Sequence, residues 1–196
     1  MTISLTGFMG CGKSSVGRKL SQLLCCPFMD LDQVIEERAG RTIPEIFSQD
    51  GEPAFRSMES EILKEIVGQT DKRPQDSESL VLALGGGAVM TAECAEIVHS
   101  DTICIYLKAS VETLMEHLSG QTDNRPLLSQ KHSLNEISTR HCEESEGRRG
   151  NLELETRIKE LMALRSATYE KTAHIIIDID GKSIEAIASE IISRLG

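Results

Sequence analysis

From Gly7 to Ser14 the chain reads Gly-Phe-Met-Gly-Cys-Gly-Lys-Ser, the spacing G-x-x-x-x-G-K-[ST], and no other stretch restricts the fold as much. Before it stands Thr2-Ile3-Ser4-Leu5-Thr6, a β-type segment. After it Val16, Leu20, Leu23 and Leu24 recur at helical spacing, so the loop is predicted to join a strand to a helix. Glycines let the backbone curl round a polyphosphate with its N–H groups inward, and the helix that follows presents its positive end to the same anion. In such a loop Gly10, Cys11 and Gly12 offer backbone donors and Lys13 reaches the β- and γ-phosphates. The Ser14 hydroxyl is the expected Mg²⁺ ligand, and Ser15 bonds an α-phosphate oxygen.

At 196 residues the chain is expected to form one domain with a sizeable core. Its 21 basic against 31 acidic side chains leave a net charge of −10. That balance argues against a surface built for nucleic acid or an anionic membrane, so cations in the site must be locally placed. Six cysteines (Cys11, Cys25, Cys26, Cys94, Cys104, Cys142) include no C-x-x-C pair and make no zinc pattern with the scattered histidines; reduced thiols in a reducing compartment are expected. The first residues have neither a basic nor an apolar leader region, and no window approaches about 18 consecutive apolar residues. The expectation is a cytoplasmic protein.

Further along, Pro27 to Asp30 reads as a second strand ending in acid, and Leu31 to Ala39 as a helix closed by Gly40, with Asp30 and Asp32 at the junction. Thr42 and Glu45 form a capping box for a short helix, and Phe55, Met58, Ile62, Leu63 and Ile66 mark a long amphipathic one carrying Arg56 and Glu59 a turn apart. An apolar strand from Leu80 to Leu84 ends in Gly85-Gly86-Gly87. Helix (Thr91 to His99), strand (Thr102 to Leu107) and helix (Val111 to Leu118) follow, after which periodicity fails from Ser119 to Asn151. A helix from about Leu152 to Thr172, a strand from His174 to Ile179 and a closing helix complete the chain. Strands this apolar, alternating with helices, predict an α/β fold with a parallel sheet covered on both faces and ligands at the strands' carboxyl ends. The loop at Gly7, the pair Asp30 and Asp32, and Gly85 to Gly87 should then line one crevice, with about 119–151 as a lid.

A phosphate loop alone does not separate kinases from GTPases or motors. The chain has no Asn-Lys-x-Asp for guanine, and Leu80 to Leu84 ends in glycines where a motor ATPase places an acid. The stretch Gly7 to Ser15, the triplet Asp30-Leu31-Asp32, Gly51-Glu52-Pro53-Ala54-Phe55-Arg56 with Glu59, Gly85-Gly86-Gly87, Arg125-Pro126-Leu127-Leu128, and Arg165 with Tyr169 together resemble the shikimate kinase family in order and spacing. The resemblance spans nearly the whole chain. It implies a three-layer P-loop kinase fold like that of the nucleoside monophosphate kinases, with a five-stranded parallel sheet, and ATP-dependent transfer to the 3-hydroxyl of shikimate in aromatic amino-acid biosynthesis.

Residue by residue, Lys13, Asp32 and Arg125 resemble the catalytic groups. Asp30 resembles the acid that holds the Mg²⁺ shell alongside Ser14. Asp32 resembles the one that takes hydrogen bonds from substrate hydroxyls and helps remove the attacking proton. Arg56 and Arg165 resemble the pair gripping the substrate carboxylate, a task suited to the guanidinium fork. Glu59 reads as the orienting partner of Arg56, Gly85 to Gly87 as backbone donors to substrate, and Arg125 as the lid arginine that closes on the transferring phosphates. The implied partners are ATP with Mg²⁺ and shikimate, acting on a monomer without nucleic acid or membrane. The chain departs from the family in one place that touches the nucleotide: where an arginine commonly stacks on adenine, it has His117-Leu118. Gluconate kinases of the same fold and a non-catalytic nucleotide-binding module are the alternatives.

Overall fold

The computed structural model describes residues 1–68, 79–118 and 143–196, with backbone alone over 143–151. At its centre is strand β1 (Thr2–Thr6), buried at every residue. Around it β2 (Phe28–Asp30), β3 (Leu80–Ala83), β4 (Ile103–Lys108) and β5 (Ile175–Asp178) complete a parallel sheet in the order β2-β3-β1-β4-β5. The α/β architecture expected from the alternating pattern is therefore present.

Strand alternation builds the layers. Ile3, Leu5, Val81, Ile105 and Ile177 face one side, where Val16 and Leu20 of α1 (Lys13–Leu23) and Ile187 and Ile191 of the closing helix pack on them. Leu80, Leu82, Cys104 and Tyr106 face the other, against α2 (Leu31–Ala39), α3 (Ile43–Gln49), α4 (Gly51–Gly68) and α5 (Ala92–Asp101). Each fully buried Leu or Ile contributes roughly 1.5–3 kcal/mol. The polar faces of β1 are accounted for locally: Thr102 donates to the Val98 carbonyl at 2.6 Å, so its oxygen is left to accept from Ser4 at 2.7 Å. Helix boundaries follow their caps. Asp30 accepts from Asp32 N–H to open α2, Gly40 at φ 64° closes it, and the Thr42–Glu45 capping box opens α3.

Helix α6 (Val111–Leu118) follows β4, and α7 (Glu143–Thr172) and α8 (Ile184–Leu195) complete the described elements. The start of α7 differs from expectation. It begins at Glu143, not near Leu152, so 143–151 belongs to a helix, and 119–142 of the expected lid lies outside the described residues. Apolar periodicity could not find this turn because Glu143, Glu144, Glu146, Arg148 and Arg149 are all good helix formers without an apolar stripe. No helix among the described residues is long and apolar enough to cross a membrane.

Behind the sheet's amino-terminal edge two imidazoles, His99 and His174, stack with ring centroids 4.6 Å apart and planes 8° from parallel. His174 Nδ1 accepts from Cys104 N–H at 3.0 Å, while His99 Nδ1 lies 3.1 Å from the Thr172 carbonyl and must donate to it. Burial, then the neighbouring His99, hold the His174 pKa below its ordinary value. Below about pH 6.5 the unfolded chain therefore binds more protons at this residue than the folded one. Its contribution to stability is intact above that pH and is lost as pH falls through the folded value. The only nitrogen of His174 free to take the proton is the one holding Cys104. We expect Tm to fall between about pH 7 and about pH 5 and to fall less steeply in His174→Asn, which keeps an acceptor there without a titrating ring. Parallel melting curves for the two proteins would remove the effect from His174.

Candidate active site

The loop between β1 and α1 is shaped by backbone geometry that glycine permits. Gly12, at φ 84° and ψ 20°, is the N-cap of α1, and no side chain caps that helix, so its leading N–H groups face the loop mouth. Lys13 Nζ donates to the Gly7 and Phe8 carbonyls at 3.0 and 3.1 Å, which carries its charge across the loop. Cys11 turns its side chain into the core, 1% exposed, and only its backbone takes part in the cradle, where its N–H donates to Phe8 at 3.2 Å.

Ser14 Oγ donates to Asp30 Oδ2 at 2.6 Å, and the other Asp30 oxygen caps α2. Each carboxylate oxygen of Asp30 thus has its own partner, one the Ser14 hydroxyl and the other the backbone of α2. A hydroxyl and a carboxylate held together at the loop mouth are the hard oxygen donors that a magnesium ion takes. Asp32 is the second residue of α2, in its first turn; burial first, then the Asp30 carboxylate, raises its pKa.

Asp32, Arg56 and Glu59 converge on Gly85 to Gly87, which follow β3. A Cβ on Gly85 would stand 2.5 Å from Asp32 Oδ1 and 3.2 Å from Glu59 Oε1; one on Gly87 would stand 2.7 Å from Arg56 Nη2; one on Gly86 would meet Met9 N at 3.4 Å. A side chain at either end of the strip would push away the acceptor-side groups that lie directly on it. Arg56 donates from Nη1 to Glu59 Oε2 at 2.7 Å and from Nη2 to Glu52 Oε1 at 3.1 Å. Glu59 is fully buried, and its Oε1 lacks a hydrogen-bond partner. Burial pushes its pKa up, against the downward pull of Arg56. An ion pair sunk this far stabilises weakly; its consequence is to hold the guanidinium in one place.

Arg165, on α7, is outside the wall of the cleft itself. Its guanidinium faces the Tyr169 hydroxyl, and its Nη1 is buried without a hydrogen-bond partner. Tyr169 in turn donates to the Gly86 carbonyl. Arg125 lies outside the described residues.

The phosphate loop, Asp30, Asp32, Arg56, Glu59 and the glycine strip share one cleft of about 1090 Å³, large enough for two small-molecule ligands. Lys13, Ser14, Ser15 and Asp30 occupy its middle. Beyond Asp32 the wall becomes Ile43, Pro44, Phe47 and Phe55, and at the opposite end it is Thr113, Glu116, His117 and the turn from Gly181 to Ser183. Sequence reasoning missed the apolar wall, since Ile, Pro and Phe carry no chemistry that marks them out. The ring of His117, read from sequence only as a departure from the family's arginine, meets the Gly10 carbonyl at 2.8 Å through Nδ1. Lys182 lines that end while donating to Glu190 at 2.7 Å.

Comparison with known proteins adds the chemistry. The shikimate kinase family model matches residues 9–196. Shikimate kinase of Thermus thermophilus is 37% identical over 193 residues, covering 98% of this chain and 89% of its own. That of Dictyoglomus turgidum is 35% identical over 196 residues, covering 99% and 96%. Among solved structures, shikimate kinase from Acinetobacter baumannii in complex with shikimate superposes with a TM-score of 0.79 at 31% identity, covering 99% of this chain and 92% of that one. The Bacteroides thetaiotaomicron enzyme gives 0.78 at 27% identity, covering 100% and 98%.

Proposed function

The chain belongs to the shikimate kinase family, and from that premise we propose how its own residues carry ATP-dependent phosphoryl transfer to the 3-hydroxyl of shikimate, giving shikimate 3-phosphate and ADP. The enzyme is a small-molecule kinase of the shikimate pathway that uses ATP with a divalent cation. The observation that carries the reading is the glycine strip: Gly86 lies against the phosphate loop while Gly85 and Gly87 lie against Asp32, Glu59 and Arg56. Donor and acceptor sides therefore meet within three residues.

In this reading the loop N–H groups, the end of α1 and Lys13 take up the charge of the β- and γ-phosphates. Ser14 and Asp30 would hold Mg²⁺, which when bound neutralises phosphate charge. Asp32 accepts the hydrogen bond of the attacking hydroxyl, and its raised pKa suits a group that receives a proton in flight. Arg56, held by Glu59, and Arg165, with its unpartnered Nη1, grip the carboxylate of shikimate. Gly85 to Gly87 bind its ring from below, and Arg125, in the Arg125-Pro126-Leu127-Leu128 motif, closes on the phosphates from a lid at about 119–151. We propose that a single P-loop kinase domain does this as a cytoplasmic monomer, because one chain lines both ends of the cleft.

Purified protein with MgATP should release ADP on addition of shikimate, and hardly at all with gluconate or a nucleoside monophosphate. Equal turnover with gluconate would overturn the acceptor assignment. Arg56→Lys and Arg165→Lys should each raise KM for shikimate about tenfold or more with KM for ATP little changed, since a single ammonium cannot reproduce a bidentate grip. An unchanged shikimate KM in either variant would remove that arginine from the clamp.

A further inference from the structure

Tyr169 has no role in the reading above, yet it is 1% exposed and its hydroxyl reaches the glycine strip. Its hydroxyl donates to the Gly86 carbonyl across 83 positions of sequence. Gly86 is the member of the strip that lies on the phosphate loop, with Met9 N and Gly7 O nearest to it. Arg165, one turn earlier on the same helix, faces that hydroxyl and keeps Nη1 buried and unpartnered. The Tyr169 ring stacks on Tyr106 at 5.1 Å between centroids, and Tyr106 is paired in register with Thr6, the residue leading into the loop.

We propose that the Tyr169 hydroxyl is a positioning group for the acceptor: it sets the Gly86 peptide and the Arg165 guanidinium in register, so that the carboxylate ligand on α7 and the strip after β3 present one preformed surface. The inference rests on Arg165 being the carboxylate ligand. A phenol has one proton to give and an oxygen that still accepts. Here the proton is committed to Gly86, which leaves the lone pairs as the only group turned toward Arg165. A ring serving packing alone would need no hydroxyl at this point, and its loss would disturb donor and acceptor sides alike.

The test compares Tyr169→Phe with Tyr106→Phe, which removes a hydroxyl from the same stacked pair but not the one on Gly86. In Tyr169→Phe, KM for shikimate should rise about tenfold while KM for ATP stays within about twofold, and direct titration with shikimate alone should weaken by the same factor. Tyr106→Phe should leave both constants near wild type. Combined with Arg165→Lys, Tyr169→Phe should add less than about a further twofold, because both lesions fall on one contact. Effects that multiply, or a shikimate KM that rises no more than that for ATP, would overturn the positioning role. A silent Arg165→Lys would instead overturn the carboxylate reading on which it stands. Circular dichroism of each variant shows that the comparison is made on folded protein.

Discussion

Lys13→Met is expected to lower kcat about a thousandfold, roughly 4 kcal/mol in barrier, while leaving the protein folded. The lysine places its charge across the phosphate loop through the Gly7 and Phe8 carbonyls, at 3.0 and 3.1 Å, and takes no part in either core cluster. Methionine keeps the length of the side chain and deletes the charge that would meet the transferring phosphates. Gly7 and Phe8 are buried, so their carbonyls lose a donor when the ammonium goes, but the Phe8 carbonyl keeps the Cys11 N–H at 3.2 Å and the loss falls on the Gly7 carbonyl alone. Tm should accordingly move by less than about 4 °C, the shift for roughly 1 kcal/mol in a chain of this size. Steady-state ADP release and a thermal melt on the same preparation test both halves. Near wild-type turnover would end the assignment of the loop to catalysis, and a collapsed Tm would make the loss of turnover uninformative about Lys13.

Asp32→Asn should lower kcat by about 10²–10⁴-fold, the range for removing a positioned proton acceptor, with ATP affinity little changed. The reason is a division of labour between neighbouring carboxylates. Asp30 meets Ser14 through one oxygen and caps α2 through the other, receiving there the backbone N–H of residue 32, which the substitution retains. The Asp32 side chain instead lies over Gly85 beside Glu59. Asparagine has nearly the same shape, so it fits the strip, but it cannot accept a proton at neutral pH. Removing one of several carboxylates crowded into this corner should also leave stability unchanged or slightly raised, since burial and Asp30 both disfavour the charge that is lost. ATP titration in the absence of shikimate separates the roles. If ATP affinity fell as far as turnover, Asp32 would belong with Asp30 on the cation side.

Several of these contacts could be read before any coordinates. The phosphate loop is local: eight residues of pattern, a strand before and a helix after, and a backbone that only glycine makes easy. The pair Asp30 and Asp32 is local too, because a strand end and the first turn of a helix are adjacent in sequence as in space. Arg56 and Glu59 were legible as neighbours from their spacing on a helix. None of this local reasoning named shikimate; the order and spacing of all the motifs together did, as a family resemblance that the comparisons then bore out.

What local pattern determined, then, was the loop, the alternation of strand and helix that makes the sheet parallel, and which residue types hold a phosphate or a carboxylate. The tertiary structure decided which of them meet. Gly85, Gly86 and Gly87 are one tripeptide in sequence, but in space they separate an acid pair, the phosphate loop and an arginine, because β3 delivers them between β1 and β2. Tyr169 reaches Gly86 and His117 reaches Gly10 across 83 and 107 positions, distances over which no hydrophobic period carries information. The first turns of α7 were invisible for the opposite reason: a helix with charges on all sides has local propensity but no stripe, and the periodic signal reports the face a helix buries. Spacing along the chain encodes what one element does to itself; only packing of the sheet's two faces brings a phenol, a guanidinium and a glycine carbonyl to one corner.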